Sequence, residues 1–211
     1  VYGLGADASS AAAIAHLYTV KGRPPGHPVI VHLDSAEHAF AWASEVPDAA
    51  RKLADAFWPG PLTMILKRDL CAGDFVTGGQ DAVGVRVPSH PVAQALLREF
   101  FALRGDARRA GIAAPSANRF GRVSPTTAAH VRADLGADVD LVLEGGDAEV
   151  GIESTIVDLS RGAPVLLRPG HVTPEAIAAV LGTPVAAKDA AAPAHSGGLE
   201  RHYAPRTPTR L

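Results

Sequence analysis

Cysteine is almost absent from this chain, since Cys71 is the only one among 211 residues. A single thiol cannot form an intrachain disulfide or supply the several thiolates of a cysteine-based zinc site. The nine histidines are scattered along the chain and form no His-Glu-x-x-His motif. No stretch resembles a secretory signal, so we expect a protein of the reducing cytoplasm.

Long hydrophobic runs and a large excess of one charge are also lacking. No apolar stretch approaches the roughly 20 residues that a membrane helix needs. The net charge is −2, with 20 basic and 22 acidic residues, so the whole chain does not present a field that favours nucleic acid. A site for anions must therefore come from a local cluster of Lys and Arg.

Several common catalytic motifs are missing as well. The sequence contains no Walker loop, no Rossmann glycine fingerprint and no G-x-S-x-G elbow. It shows neither a Cys-His pair nor a Ser-His-Asp order, so covalent catalysis has no support in the sequence.

Helical and strand-like patterns alternate along the chain, in which 47% of the residues are hydrophobic and 20% are charged. We therefore expect one α/β domain with a mixed sheet. The patterns predict helices over residues 9–20, 36–44, 47–57, 91–101, 125–135 and 174–181, the fifth capped by Ser124 and opened by Pro125. They predict strands at 29–31, 62–66, 82–87, 111–114, 139–143, 155–159 and 165–167.

Polar residues at four places suit the binding of anions or small polar ligands. The loop Lys21-Gly22-Arg23-Pro24 pairs two cations that match phosphate oxygens. The other three follow or precede predicted strands, at residues 114–118, 153–155 and 168–170. Each has a simpler interpretation, namely a helix end with favourable cations, an ordinary turn or a surface charge.

Arg86 interrupts an otherwise apolar strand. On the solvent side of a one-sided strand it needs no partner. On the working side of the sheet it needs an anion, such as a substrate carboxylate.

Taken together, these segments resemble the YrdC family of threonylcarbamoyl-AMP synthases. Nine matching segments cover essentially the whole chain in the family's order. They are Val-Tyr-Gly-Leu-Gly-Ala-Asp (1–7), Lys-Gly-Arg-Pro (21–24), Pro-Val-Ile-Val-His (28–32), Phe-Trp-Pro-Gly-Pro-Leu-Thr (57–63), Val-Arg-Val-Pro (85–88), Pro-Ser-Ala-Asn (115–118), Glu-Ser-Thr-Ile-Val-Asp (153–158), Leu-Arg-Pro-Gly (167–170) and His-Tyr-Ala-Pro (202–205).

The resemblance implies a YrdC-like single domain, with a twisted mixed β-sheet flanked by helices around a concave basic pocket. It implies a nucleotidyltransferase that makes threonylcarbamoyl-AMP and pyrophosphate from L-threonine, bicarbonate and ATP, with Mg²⁺ carried by the ATP. The product would pass to the machinery that forms N6-threonylcarbamoyladenosine in tRNA, and a weak contact with tRNA or double-stranded RNA would be compatible with this role.

The resemblance also assigns residues to two ligands. Lys21 and Arg23 would be the catalytic pair that holds the ATP phosphates. The residues implied for the ATP site are Lys21, Arg23, His27, Ser116, Asn118, Thr126, Arg168 and Tyr203. Those implied for the threonine site are His32, Arg86, Ser116 and Ser154, with Arg86 on the carboxylate.

Two departures from the family pattern lead to a prediction about domains. The family's Pro-Thr-Glu-Thr run does not precede Val1, and Arg-Thr-Pro-Thr-Arg-Leu (206–211) resembles the start of the long form's second domain, which then stops. Residues 184–198 are rich in Ala, Pro, Gly and Ser without periodicity, which is typical of a linker. We therefore expect a synthase domain at residues 1–182 that lacks its N-terminal strand. Residues 183–211 would be a linker towards a C-terminal domain that is absent.

Two other functions stay open at this point. A related carbamoyltransferase domain would share the ATP residues and differ in those for threonine, and His32, Arg86 and Ser154 favour threonine. A non-catalytic module for double-stranded RNA would bind through phosphates, and its affinity would fall steeply with salt.

Overall fold

A computed structural model describes residues 1–24 and 26–198 of the chain. The helices are α1 Ala11–Lys21, α2 Ala36–Phe40, α3 Asp48–Phe57, α4 Asp74–Thr77, α5 Pro91–Arg104, α6 Ala128–Leu135 and α7 Pro174–Leu181, with a 3₁₀ turn at Gly136–Asp138. The strands are β1 Ala6–Asp7, β2 Ile30–His32, β3 Leu62–Lys67, β4 Ala82–Arg86, β5 Ile112–Ala113, β6 Thr155–Asp158, β7 Val165–Arg168 and β8 Ala186–Ala187.

The eight strands form one mixed sheet in the order β1-β5-β2-β4-β3-β6-β7-β8. The pairs β2–β4, β3–β6 and β7–β8 are parallel, and the other neighbours are antiparallel. This confirms the expected α/β class and mixed sheet. Helices that connect neighbouring parallel strands explain why the two kinds of element alternate along the sequence.

The two faces of the sheet bury different apolar clusters, because alternate residues of a strand point to opposite faces. Val31, Met64 and Val157 belong to the main core, together with Ile14, Leu53 and Ile177 from helices α1, α3 and α7. Their strand neighbours Ile30, Ile65 and Ile156 belong to a smaller cluster, against which Ala192 packs. We call this second face the open face of the sheet.

A β-bulge near the end of β7 changes which face its last residue joins. Arg168 pairs with Ile156, while Leu166 pairs with Val157, so Leu167 is the extra residue. Residues that pair directly across two strands lie on the same face. The bulge therefore places Arg168 on the open face beside Ile156.

The predicted start of α6 is wrong. Thr127, rather than Ser124, caps the helix by accepting from the His130 amide at 3.1 Å. Ser124 instead donates its hydroxyl to Glu153, and the Pro125 carbonyl accepts from the Tyr2 amide. These tertiary contacts hold residues 124–126 outside the helix, so α6 begins three residues later than predicted.

The strand predicted at residues 139–143 is also wrong, because no strand forms there. Val139 and Val142 pack on a small cluster that includes Val131 and Leu135 of α6, which explains the apolar pattern. Leu141, however, is 75% exposed. The segment thus follows the helix and does not join the sheet.

Other predicted elements lie close to their observed bounds, although the helix expected over 36–44 ends at Phe40. The sequence patterns did not predict β1, α4 or β8. The division into a domain at 1–182 and a linker at 183–211 stays a prediction. The structure adds that Ala186–Ala187 pair with β7 at the edge of the sheet. Among the described residues, no helix has the length and apolar character needed to cross a bilayer.

Candidate functional site

Helix α1 places the first predicted cation in a buried position. Lys21 is the last residue of the helix and is 4% exposed. Its ammonium group donates to the backbone oxygens of Ser116 and, at 2.6 Å, of Asn118. Gly22 ends the helix with a positive φ of 61°, a conformation that glycine adopts without strain.

Arg23 follows directly and is 9% exposed. Its Nη2 donates to the Pro28 carbonyl at 3.2 Å, and its guanidinium lies 5.8 Å from the centre of the Tyr18 ring. The buried Nε has no hydrogen-bond partner within the described residues. Because a buried donor without a partner costs free energy, this group suits an incoming acceptor.

Burial disfavours the charge on both cations. Burial lowers the pKa of Lys21 to about 8, with a further contribution from Arg23. Burial likewise lowers the pKa of Arg23, and the neighbouring Tyr18 and Glu153 oppose this effect. Two cations in this environment bind an anion more favourably than they would in water.

The loop after β5 lies against these cations. Gly3 forms an isolated antiparallel bridge with Ser116. The Asn118 amide nitrogen donates to the carbonyls of Arg119 and Arg122, at 2.8 and 3.0 Å. The Asn118 Oδ1 atom is buried and has no partner among residues 1–24 and 26–198, so it is ready to accept a ligand's donor.

His27 and Thr126 are two further residues that were predicted to bind the nucleotide. Half-buried His27 accepts a hydrogen bond from the Tyr18 hydroxyl through its backbone oxygen, and burial, together with Arg23, lowers the pKa of its imidazole. Thr126 precedes α6, and its hydroxyl lies 3.3 Å from His130 Nδ1. Within the described part of the chain, neither side chain bonds to Lys21, so these two assignments stay predictions.

His32 and Arg86 are direct neighbours across the parallel β2–β4 pair, each at the last position of its strand. Arg86 Nε donates to the Gly60 carbonyl at 3.0 Å. Burial lowers the pKa of Arg86 to about 10, with Arg168 contributing. Burial, with Arg86 adding to it, lowers the pKa of His32 to about 3. His32 is therefore neutral at physiological pH, while Arg86 keeps its charge.

Arg168 and Ser154 form a second group on the open face. Arg168 Nε donates to the Ser154 carbonyl at 2.9 Å, and its Nη2 donates to the Ser154 hydroxyl at 3.1 Å. Its Nη1 donates to Glu153 and, at 3.0 Å, to the Ser196 carbonyl. The structure thus groups Arg168 with a residue predicted for threonine, although the resemblance assigns it to the nucleotide.

Glu153 was not among the predicted site residues. One of its oxygens accepts from Ser124 at 2.8 Å and the other accepts from Arg168. Its charge also raises the pKa values of both Lys21 and Arg23. Glu153 therefore links the two groups of cations. Its presence in the 153–158 motif was the available signal, but its role depends on contacts that the sequence does not reveal.

Residues 194–198 return across the open face towards these side chains. The Gln80 side chain bonds in both directions with the backbone of Ala194, accepting at 2.7 Å and donating at 3.2 Å. The Ser196 hydroxyl donates to the Pro28 carbonyl at 3.2 Å, which Arg23 also contacts. This return segment thus bonds directly to Arg168, through the Ser196 carbonyl, and shares the Pro28 carbonyl as an acceptor with Arg23. Tyr203, predicted to cover the nucleotide, lies outside the described residues.

A cavity of about 380 Å³ opens elsewhere, between the loop at 57–61 and residues 171–176. None of the predicted site side chains that the structure describes lines it. Gly60 connects this cavity to the site, because the Gly60 carbonyl accepts from Arg86. We therefore place the candidate site at the buried cations, where the polar groups converge, and not at this cavity.

Comparison with known proteins identifies similar chains. A family model named for Sua5, YciO and YrdC, and described as "Telomere recombination", matches residues 1–170. The chain is 40% identical to the threonylcarbamoyl-AMP synthase of Pyrococcus abyssi (strain GE5 / Orsay), over 97% of this chain and 59% of that protein. It is also 40% identical to the threonylcarbamoyl-AMP synthase of Bacillus subtilis (strain 168), over 100% of this chain and 60% of that protein.

A solved structure extends the similarity to three dimensions. The crystal structure of P. abyssi Sua5 complexed with L-threonine matches with a TM-score of 0.87 and 39% identity, over 97% of this chain and 59% of that one. The chain therefore spans 59 to 60% of the length of these relatives.

Proposed function

Because the chain belongs to the Sua5/YciO/YrdC family, we propose that it performs threonylcarbamoyl-AMP synthesis. In this reaction L-threonine, bicarbonate and ATP give threonylcarbamoyl-AMP and pyrophosphate. The proposal rests on the names of the two relatives, on the likeness to a structure that contains L-threonine, and on the nature of the site.

One observation carries the proposal on the structural side: three cations of the site have lowered pKa values because they are buried. Such cations are arranged for anions before any ligand arrives, so little reorganisation is needed on binding. ATP supplies phosphates for Lys21 and Arg23. The amino acid supplies a carboxylate for Arg86.

The chemistry of the proposed reaction needs alignment and charge stabilisation more than a protein nucleophile. The threonine amine and bicarbonate form a carbamate with loss of water. A carbamate oxygen then bonds to the α-phosphorus while the bond to the β-phosphate oxygen breaks. Lys21 and Arg23 would stabilise the negative charge of the departing pyrophosphate.

We propose that magnesium accompanies ATP and is held by its phosphate oxygens. No three His, Cys, Asp or Glu side chains gather into a metal site among the described residues. Glu153, the carboxylate beside the cations, already accepts from Ser124 and Arg168. The donor set thus fits an ion that arrives with its own oxygen ligands, where it would help neutralise phosphate charge.

We further propose a cytoplasmic protein whose product passes to the tRNA threonylcarbamoyl-transfer machinery. Any contact with tRNA or double-stranded RNA would be weak, because the net charge is −2.

The test is pyrophosphate release from ATP in bicarbonate and Mg²⁺, with and without L-threonine. We expect release that depends on threonine, with threonylcarbamoyl-AMP detected by mass spectrometry. Glycine and L-valine serve as controls for amino acids that lack the hydroxyl. Absence of release, or release that is indifferent to threonine, would contradict the proposed function.

A further inference from the structure

Thr63 is a fully buried polar residue in the middle of the open face. It is 0% exposed and lies in β3 between Leu62 and Met64, both of which point into the main core. Alternation along the strand turns the Thr63 side chain to the open face, as it does for Ile65. A hydroxyl at such a position needs a hydrogen-bond partner.

That partner is Ser154, whose Oγ lies 2.8 Å from Thr63 Oγ1. Ser154 is 3% exposed, so both hydroxyls are shielded from water. Parallel pairing of β3 and β6 joins Leu62 to Thr155, and the Thr155 amide donates to the Pro61 carbonyl at 3.0 Å. The two backbones are therefore held in the register that keeps the hydroxyls together.

A second donor already occupies the Ser154 oxygen. Arg168 Nη2 donates to it at 3.1 Å, and a guanidinium can only donate. Ser154 therefore uses one of its two acceptor positions for Arg168. The remaining question is whether Thr63 or Ser154 supplies the proton of the contact between the two hydroxyls.

Either hydroxyl can donate in this contact, and in both arrangements the other hydroxyl keeps a proton without an acceptor among the described residues. The two differ in what a ligand can reach. Thr63 is 0% exposed and its only hydrogen bond within the described residues is the one to Ser154, whereas Ser154 is 3% exposed and lies beside Arg168 in the candidate site. With a ligand acceptor at Ser154, every proton is satisfied only if Thr63 donates to Ser154, which then accepts twice and gives its own proton to the ligand.

We propose that Thr63 is a positioning residue that makes the Ser154 hydroxyl an obligatory donor towards the amino-acid substrate. This inference rests on the proposed function and on the contact between Ser154 and threonine that the family resemblance predicts. With both acceptor positions filled, Ser154 can bind a carboxylate or hydroxyl oxygen. It cannot bind the substrate's ammonium group, which must lie against other atoms of the site.

Kinetics of Thr63→Val test the proposal, because valine keeps the shape and removes the donor. We expect the KM for L-threonine to rise about tenfold, as for the loss of one buried hydrogen bond, with the KM for ATP within twofold of wild type. Thr63→Ser keeps a hydroxyl and should restore the threonine KM to within about threefold. Thr77→Val, a buried threonine in α4 that is 1% exposed, is the matched control and should leave the threonine KM unchanged.

A double-mutant cycle separates positioning from general destabilisation. If Thr63 acts through Ser154, then Thr63→Val should add less than twofold to the threonine KM of Ser154→Ala. The proposal would be overturned if the double variant raised the threonine KM by the full product of the two single increases. It would also be overturned if Thr63→Val raised the KM values for threonine and ATP equally. Thr63→Ala enters the same cycle if Thr63→Val fails to fold. If the wild-type protein shows no threonine-dependent activity, the proposed function is refuted. If the wild type is active and Thr63→Val leaves the threonine KM unchanged, this inference alone is refuted.

Discussion

The ammonium group of Lys21 lies 2.6 Å from the backbone oxygen of Asn118. This hydrogen bond ties the end of α1 to the loop after β5, so two segments far apart in the sequence share one buried cation. The same charge is destabilised by burial. Lys21 therefore serves both the architecture of the site and its attraction for anions.

The pKa of Lys21 predicts how ATP affinity depends on pH. Lys21 is cationic below its pKa of about 8, and the cation is the form that attracts phosphate. Above pH 8, binding must first return a proton to the amine, so affinity falls. Between pH 7.5 and 9.5, where the phosphates of ATP are already ionised, we expect the Kd for ATP to rise roughly tenfold or more.

Titration calorimetry across this range measures the effect. Lys21→Arg should remove most of the dependence, because arginine stays charged throughout. Lys52→Ala, a change at an exposed lysine of α3, should leave the wild-type profile. A wild-type Kd that does not change with pH would contradict the role given to the Lys21 charge, and a pH dependence that persists in Lys21→Arg would show that another group titrates.

Arg86 should discriminate between the two substrates. Its neighbour His32 is neutral, so Arg86 supplies the charge for a carboxylate at these strand ends. We expect Arg86→Ala to raise the KM for L-threonine by about ten- to a hundredfold, as for loss of a charged hydrogen bond, and to change the KM for ATP by less than threefold. Arg98→Ala, at an exposed position of α5, is the control. An equal loss of both affinities would contradict the assignment.

Gln80 should hold the return segment on the open face. Its amide group bonds in both directions with the backbone of Ala194. We expect Gln80→Ala to speed hydrogen exchange at residues 192–198 by several-fold, because the segment loses an anchor. Gln94→Ala is the matched control, since the Gln94 amide bonds to the Pro88 carbonyl at 2.7 Å, away from the segment. If Gln80→Ala leaves the exchange rate unchanged, then Ser196 and its neighbours are sufficient to hold the return segment on the open face.

A substitution at Gly111 tests how tightly the main core is packed against the sheet. A Cβ atom at this position would lie 2.4 Å from Val31 Cγ1 and 2.7 Å from Trp42 Cζ2. We expect Gly111→Ala to lower the free energy of unfolding by about 1–3 kcal/mol, as overpacked cores do. Urea denaturation measures it. In a Val31→Ala background one clashing atom is gone, so the further loss should be smaller, and an equal loss in both backgrounds would contradict this explanation.

Much of the fold was predictable because burial has a local pattern. β3 and β4 are apolar runs bounded by turns, and α7 spans Pro174–Leu181 as expected. The errors arose where a tertiary contact outweighs the local signal. Ser124 has the side chain of a helix cap but bonds to Glu153, and this partner lies far along the chain.

The membership of the candidate site stays a prediction, whereas the connections between its residues come from the structure. The resemblance pointed to Lys21, Arg23, Arg86 and Arg168. Glu153 accepts from Arg168 and raises the pKa values of Lys21 and Arg23, and Arg168 contributes to the lowered pKa of Arg86. Thr63 and Gln80 were missed because a threonine in a strand and a glutamine in a turn are ordinary there. Their importance comes from hydrogen bonds to Ser154 and Ala194, which lie far along the chain and which composition and spacing do not reveal.

The order of strands in the sheet has a consequence for how the site arises during folding. His32 and Arg86 meet across β2 and β4, whereas Ser154 and Arg168 meet at β6 and β7, and β3 separates the two pairs in the order of strands. Loops of many residues must close before these side chains become neighbours, which slows folding and makes it depend on long-range contacts. We therefore expect no fragment shorter than residues 32–168 to bind threonine, so affinity for threonine should develop late in refolding, together with completion of the sheet.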